Sequence, residues 1–186
     1  MNVIFLDFDG VINTFNSVLE PFEDKNAVEK RIKILGDICK EYNCKIVIES
    51  SHKTCIDEET LETDVEWIND LFDSFKKYGI EVIGRTKDLH SNPKNSTIWK
   101  EDEILEYLNR HPEIEHFCVL DDDDLVTIPD MEKKDFSKSD LNKVRDYLVT
   151  PLLYSETDPN ESGLLESHKK EVGKILKKEY RNKRKS

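Results

Sequence analysis

Three short apolar runs in this chain stop abruptly at polar side chains. Residues 2–6 (NVIFL) run into Asp7, residues 44–48 (CKIVI) into Glu49 and Ser50, and residues 116–120 (HFCVL) into Asp121. Runs of about five residues, bounded by polar clusters, have the length and composition of strands buried on both faces of a sheet. Between them the period changes. Over 25–42, Ala27, Val28, Ile32, Leu35, Ile38 and Cys39 recur among charges at helical spacing, the mark of an amphipathic helix. Strands alternating with such helices predict an α/β chain, a three-layer, Rossmann-like parallel sheet with helices on both faces. Ligands of these sheets bind beyond the carboxyl ends of the strands. Asp7, Ser50 and the Asp121/Asp122 pair are therefore expected along one edge.

The remaining elements obey the same rules. A helix is expected over 61–78, capped by Gly79, and a third strand over 80–83. A polar loop holding Pro93 covers 87–97, and a helix spans 100–110, ended by His111-Pro112 because the residue before proline leaves the helical region. Residues 126–140 read as irregular, a fifth strand interrupted by Pro151 falls within 147–154, and a terminal helix is expected over 164–180. At 186 residues the chain suits one domain, 1–186, with a basic tail at about 177–186. Lys177, Lys178, Arg181, Lys183, Arg184 and Lys185 crowd that tail. They suit the negative pole of a helix end, and a phosphate-steering or nuclear-targeting role is the alternative.

Charge and cysteine content narrow the partners. The formal net charge is −12, so a phosphate backbone is repelled at long range and general nucleic-acid binding is disfavoured. The four cysteines, Cys39, Cys44, Cys55 and Cys118, form no C-x-x-C pair. They read as reduced thiols, and a cytoplasmic location is expected, with a nuclear one left open by the basic tail. No stretch approaches about 20 apolar residues, and MNVIFLDFDG lacks a basic leader, so neither a membrane span nor a signal peptide is expected.

The chemistry is concentrated at the strand ends. Asp7 and Asp9 are spaced i, i+2 after a buried strand, with Gly10 relieving the backbone there. Such a pair can divide into nucleophile and acid/base, although an Asp-Gly turn would look similar. Asp121, Asp122, Asp123 and Asp124 are consecutive. Adjacent carboxylates repel one another unless a cation lies near, and hard oxygen donors suit Mg²⁺; a solvated acidic turn is the plainer reading. A Ser50 or Ser51 hydroxyl could hydrogen-bond a phosphoryl oxygen or cap the next helical turn. Lys100, at the start of a helix, could neutralise the carboxylates and a phosphate or simply lie on the surface.

Taken in order, VIFLDFDGV, IVIESS, Lys100 opening KEDEILEYL, and CVLDDDD resemble the four signature segments of the haloacid dehalogenase (HAD) superfamily of phosphohydrolases, across residues 3–124. A closer resemblance is to small proteins related to the phosphatase domain of RNA-repair enzymes, whose acidic loop, Gly-Leu and final helix are echoed by residues 158–164 (DPNESGL). The chain departs from that subgroup at His52-Lys53, where an aromatic and an arginine are favoured, and at Lys100, in place of arginine. The resemblance implies a HAD-like fold and a Mg²⁺-dependent phosphomonoester hydrolase. Asp7 would form an aspartyl phosphate, and Asp9 would protonate the leaving oxygen and later activate water. Asp7, the carbonyl of Asp9 and Asp122 would hold Mg²⁺, with Asp121 orienting Lys100 or a metal-bound water. Ser50 and Lys100 would hold the phosphoryl group, with Gly10 and Ser51 on the substrate side. An acid/base two residues after the nucleophile favours phosphoryl transfer over carbon–halogen cleavage.

The spacing between segments leaves no room for a large cap domain, so an open site is expected, with residues 13–22 (Phe15 and Phe22 included) as a candidate flap over Asp7. The phosphorylated substrate, a small molecule or a macromolecular phosphate end, is not specified by these residues. Two other functions stay open: a nucleic-acid or nucleotide end-processing phosphatase, and a degenerate module that binds phosphate without turnover.

Overall fold

The computed structural model describes residues 1–14, 25–89, 100–123, 142–155, 161–178 and 180. Five strands, β1 (Asn2–Leu6), β2 (Cys44–Ile48), β3 (Val82–Arg85), β4 (His116–Leu120) and β5 (Leu148–Val149), form one sheet in the order β3-β2-β1-β4-β5. Every pairing is parallel. The helices are α1 (Lys25–Tyr42), α2 (Glu66–Lys77), α3 (Lys100–Arg110), the single turn α4 (Asn142–Arg145) and α5 (Glu166–Ile175). The chain is thus the Rossmann-like α/β sheet that its alternating pattern predicts, and no large cap is evident among the described residues.

Alternation along the strands splits the core in two. Ile4, Leu6, Ile46, Ile48, Cys118 and Leu120 pack with α1, α2 and α5. Val3, Phe5, Val47, Phe117 and Val119 face the other way, against Ile104, Tyr107 and Leu108 of α3 and Val144 of α4. Successive side chains of a strand point to opposite faces, so both sides of these runs must be apolar. Phe5 serves the second layer with edge-on contacts to Tyr107 and Phe117, at centroid distances of 5.7 and 5.8 Å. A buried arginine closes one end of the first layer. Arg31 donates to the carbonyls of Ile12 (3.2 Å) and Ser162 (3.3 Å), joining the loop after β1 to the segment before α5.

β1, β2 and β4 and helices α1 and α3 occupy the spans expected of them. Helix α2 starts at Glu66 rather than at 61, because Asp57 takes the chain into a turn, accepting from the N–H groups of Glu59 and Thr60 at 2.9 and 2.8 Å. Leu61 then adopts a left-handed φ of 59°. Strand β3 is displaced to Val82–Arg85 by an irregularity opposite Ile46 and Val47. β5 is two residues long, ending before Pro151, which has no N–H for the ladder. α5 stops at Ile175, so Lys177 and Lys178 lie beyond it, and Lys178 binds the Asp146 carbonyl at 2.8 Å. The rest of the basic tail, the stretch 126–140 and residues 15–22 of the expected flap lie outside the described residues. No described helix is long and apolar enough to cross a membrane. All four cysteines are free, and burial pushes the Cys39 and Cys44 thiols up to about 12.

Candidate active site

Chain order reverses at β1, which has β2 on one side and β4 on the other. A crevice opens at such a switch point beyond the strand carboxyl ends. Leu6 pairs with Leu120 and the Asp7 N–H donates to the Leu120 carbonyl at 2.9 Å, which sets Asp7 beside Asp121. On the other flank, the Glu49 N–H donates to the Leu6 carbonyl at 2.8 Å, bringing the β2 end to the same edge.

Lys100 lies between the two aspartates. Its Nζ donates to Asp7 Oδ2 at 2.5 Å and to Asp121 Oδ2 at 2.7 Å. Burial works against the ammonium, but Asp7 and Asp121 outweigh it and hold Lys100 charged well above the ordinary lysine range. A lysine opening a helix faces the positive pole of the dipole. Its two carboxylate partners, and Glu101, Asp102 and Glu103 in the first turn, offset that. The other oxygens are also committed: Asp7 Oδ1 accepts from Phe8 N–H at 2.7 Å, and Asp121 Oδ1 from Asp123 N–H at 3.0 Å.

Asp7, Asp121 and Asp122 each offer a carboxylate oxygen, all within 4.8 Å of one another. Burial first, and the Asp7 charge second, push Asp121 up to about 7 and Asp122 up to about 6. Such crowding is relieved by a cation, and the all-oxygen donor set fits a hard one such as Mg²⁺. Gly10 explains how Asp122 comes so close. Its φ is +73°, and a Cβ there would occupy the space of the Asp122 carboxyl group. Gly10, expected on the substrate side, faces Asp122.

Asp9 turns its carboxylate elsewhere. Oδ2 lies 3.0 Å from His52 Nε2, and Oδ1 lies 3.5 Å from Asn13 Nδ2. The His52 ring stands edge-on to Trp67 at 4.9 Å, and Phe8 buttresses the same indole at 6.0 Å. The Asp9 carboxylate is about one-third exposed, so a solute can reach it. Its side chain stands outside the three-carboxylate cluster.

Ser50 is fully buried and caps the short 3-10 turn Ser51–Cys55, its Oγ accepting from His52 N–H at 3.4 Å. Ser51 is exposed, and so is Asp123, while Asp124 lies outside the described residues. Lys53 does not reach the crevice. It is buried between Glu49, whose two oxygens lie at 3.1 and 3.3 Å, and Glu103, with which it makes a short ion pair. Thr86 donates its hydroxyl to Glu49, and Leu89 N–H donates to Glu103 at 2.7 Å. Burial pushes Glu49 up to about 8 despite Lys53.

A family model described as the HAD domain in Swiss Army Knife RNA repair proteins matches residues 3–149. The chain belongs to the HAD family. Among curated proteins none matches it. The match spans all five strands of this HAD domain and every residue of the crevice.

Sequence reasoning missed His52, Asn13 and Trp67 as neighbours of Asp9, and the Glu49–Lys53–Glu103 triad. His52 and Trp67 are 15 positions apart and meet only through the turn between β2 and α2. The triad had one local signal: Glu49 is a charged residue directly continuing a buried strand.

Proposed function

We propose that this HAD domain is a Mg²⁺-dependent phosphomonoester hydrolase working through a phosphorylated Asp7. The observation that carries this reading is the convergence of Asp7, Asp121 and Asp122 within 4.8 Å, with the Lys100 ammonium on two of them. Family membership supports a phosphatase-type hydrolase, and the site supports the assignment of roles.

Asp7 is the nucleophile. Phe8 N–H and Lys100 hold its two oxygens in a fixed orientation, so little motion is needed for in-line attack. Lys100 also offers its charge to a phosphoryl oxygen, which is how phosphoryl transfer is chiefly accelerated. Asp9, turned from the cluster toward His52 and Asn13, is placed to give a proton to the leaving oxygen and to take one from the water that cleaves the aspartyl phosphate. Asp121 fixes Lys100. Asp7, Asp122 and the Asp9 carbonyl would hold Mg²⁺, which supplies charge neutralisation for the phosphoryl oxygens. Ser50, at the same edge, would bind a phosphoryl oxygen through its hydroxyl.

The test is turnover of aryl phosphates, sugar phosphates, nucleotides and phosphorylated oligonucleotide ends with and without Mg²⁺. Activity is expected to vanish with chelator and to fall at least about 10³-fold in Asp7→Asn. Turnover that survives Asp7→Asn would overturn the assignment.

A further inference from the structure

A cavity of about 410 Å³ lies between α1 and α2, lined by Asn13, Val28, Ile32, Trp67, Leu71 and Ser74, with Lys25, Glu29, Asp70 and Asp73 also on its wall. That volume is within the range of small-molecule sites. Its location matters more. Asn13, on the wall, approaches one oxygen of Asp9, and Trp67, also on the wall, packs against the imidazole that meets the other. Two separate side chains therefore connect the cavity to the Asp9 carboxylate.

In an in-line displacement the leaving group departs opposite the nucleophile, and the group that protonates it must be within hydrogen-bond reach. The leaving group thus lies on the Asp9 side of phosphorus, away from Asp7 and Lys100. Resting on the proposed roles of Asp7 and Asp9, we infer that the α1–α2 cavity is the leaving-group subsite and takes a planar, uncharged ring system joined to the phosphate through one oxygen. Val28, Ile32 and Leu71 give it an apolar floor, and Trp67 a flat aromatic wall against which a ring can pack. The charged residues do not favour a second phosphate. Three are carboxylates against Lys25 alone, and although Glu29 pairs with Lys77 and Asp73 with Lys76, no net positive field remains there.

The experiment compares 2-naphthyl phosphate with phenyl phosphate, whose leaving groups differ in ring area far more than in acidity. In the unaltered protein with Mg²⁺, the second ring should lower KM about tenfold, as burial of its added apolar surface implies, with kcat within threefold. Ser74→Phe and Val28→Phe fill the cavity from opposite walls without touching Asp9 or the carboxylate cluster. Either should abolish the preference for naphthyl, bringing the KM values of the two esters within threefold of each other, with an unchanged urea unfolding midpoint as the check that the fold is intact. A naphthyl preference unchanged in both variants, or absent from the unaltered protein, overturns the subsite and leaves the hydrolase standing. Absence of Mg²⁺-dependent turnover of both esters overturns the hydrolase itself, and the subsite with it.

Discussion

Replacing Lys53 by methionine isolates the electrostatics of the buried triad. The methionine keeps most of the apolar stem, so packing is largely preserved, and what disappears is the cation between Glu49 and Glu103. Both carboxylate side chains are almost wholly inaccessible, at 0% and 3% relative exposure. In the native triad Glu49, pushed up to about 8, carries a proton at neutral pH, and Lys53 then balances Glu103. Without Lys53 the buried carboxylates lose the cation that both of them meet. Removing one partner of a buried pair destabilises by about 3–5 kcal/mol. A carboxylate can escape that penalty by taking a proton, at about 1.4 kcal/mol for each pH unit above its ordinary value of about 4.3. The loss should therefore be about 1–2 kcal/mol at pH 5.5 and reach the full 3–5 kcal/mol by pH 8.5.

The sign in the native protein runs the same way. Because the folded Glu49 holds its proton to about 8 while the unfolded one releases it near 4.5, the folded state binds the extra proton between those values. Its contribution to stability is complete below about 4.5 and is lost as pH rises through 8. Urea unfolding of Lys53→Met and the native chain at pH 5.5, 7.0 and 8.5 reads both slopes. A ΔΔG that is flat across this range, or below about 1 kcal/mol at pH 8.5, would refute the reasoning. Adding Glu49→Gln and Glu103→Gln keeps acceptors for Thr86 and Leu89 and removes both charges, so the triple variant should recover most of the loss and its pH dependence.

Gly10→Ala should weaken Mg²⁺ binding at least tenfold by calorimetry, because the new Cβ displaces the Asp122 carboxyl, while left-handed strain removes about 1–2 kcal/mol of stability in urea. A variant that loses stability but keeps native Mg²⁺ affinity would contradict that contact. Lys100→Met should split two measurements: removing a cation from beside Asp7 and Asp121 tightens Mg²⁺ binding, while kcat drops about 10²–10³-fold. A fall in both would assign Lys100 to holding the site together rather than to the phosphoryl group.

The strands, the first and third helices and the strand-end acids are legible in the sequence because each rests on a local signal. Burial on both faces demands the runs VIFL, KIVI and FCVL, and the sheet rule then places Asp7, Ser50 and Asp121 together without further information. Periodicity overextends helix α2 for a physical reason. Leu61 and Val65 fit a helical stripe, but Leu61 is left-handed and the Thr60 and Thr63 hydroxyls take the N–H groups of Glu62 and Val65, and side-chain capture of backbone donors is invisible to periodicity. In the sequence Gly10 signals conformational relief, whereas its missing Cβ matters as much for Asp122, a contact across 112 positions of chain. His52 and Lys53 stand out there only as departures from an aromatic and an arginine. Adjacent in the 3-10 turn, they part company, one toward Asp9 and one into the core, a divergence that composition cannot reveal.

Helix α3 ties these observations together. Lys100 and Glu103 are three residues apart, so they share one side of its first turn, Lys100 reaching the crevice and Glu103 the buried triad. Glu49 and Lys53 bracket Ser50 in the segment after β2, and the triad thus clamps the start of α3 to the β2 end, the same two pieces that bring the Lys100 cation and the Ser50 hydroxyl to the edge. Because the triad joins the two segments that carry Lys100 and Ser50, it bears on how those two residues sit relative to each other. Among the described residues at the edge, Asp7, Asp121 and Asp122 gather around Lys100, and a phosphate dianion would add to the same sign of charge. On the proposed reading an added cation enters with the substrate, and Lys100, bonded to both Asp7 and Asp121, is fixed beside it. The contacts that bury Glu103 thus lie on the same helical turn that delivers Lys100 to the carboxylate cluster.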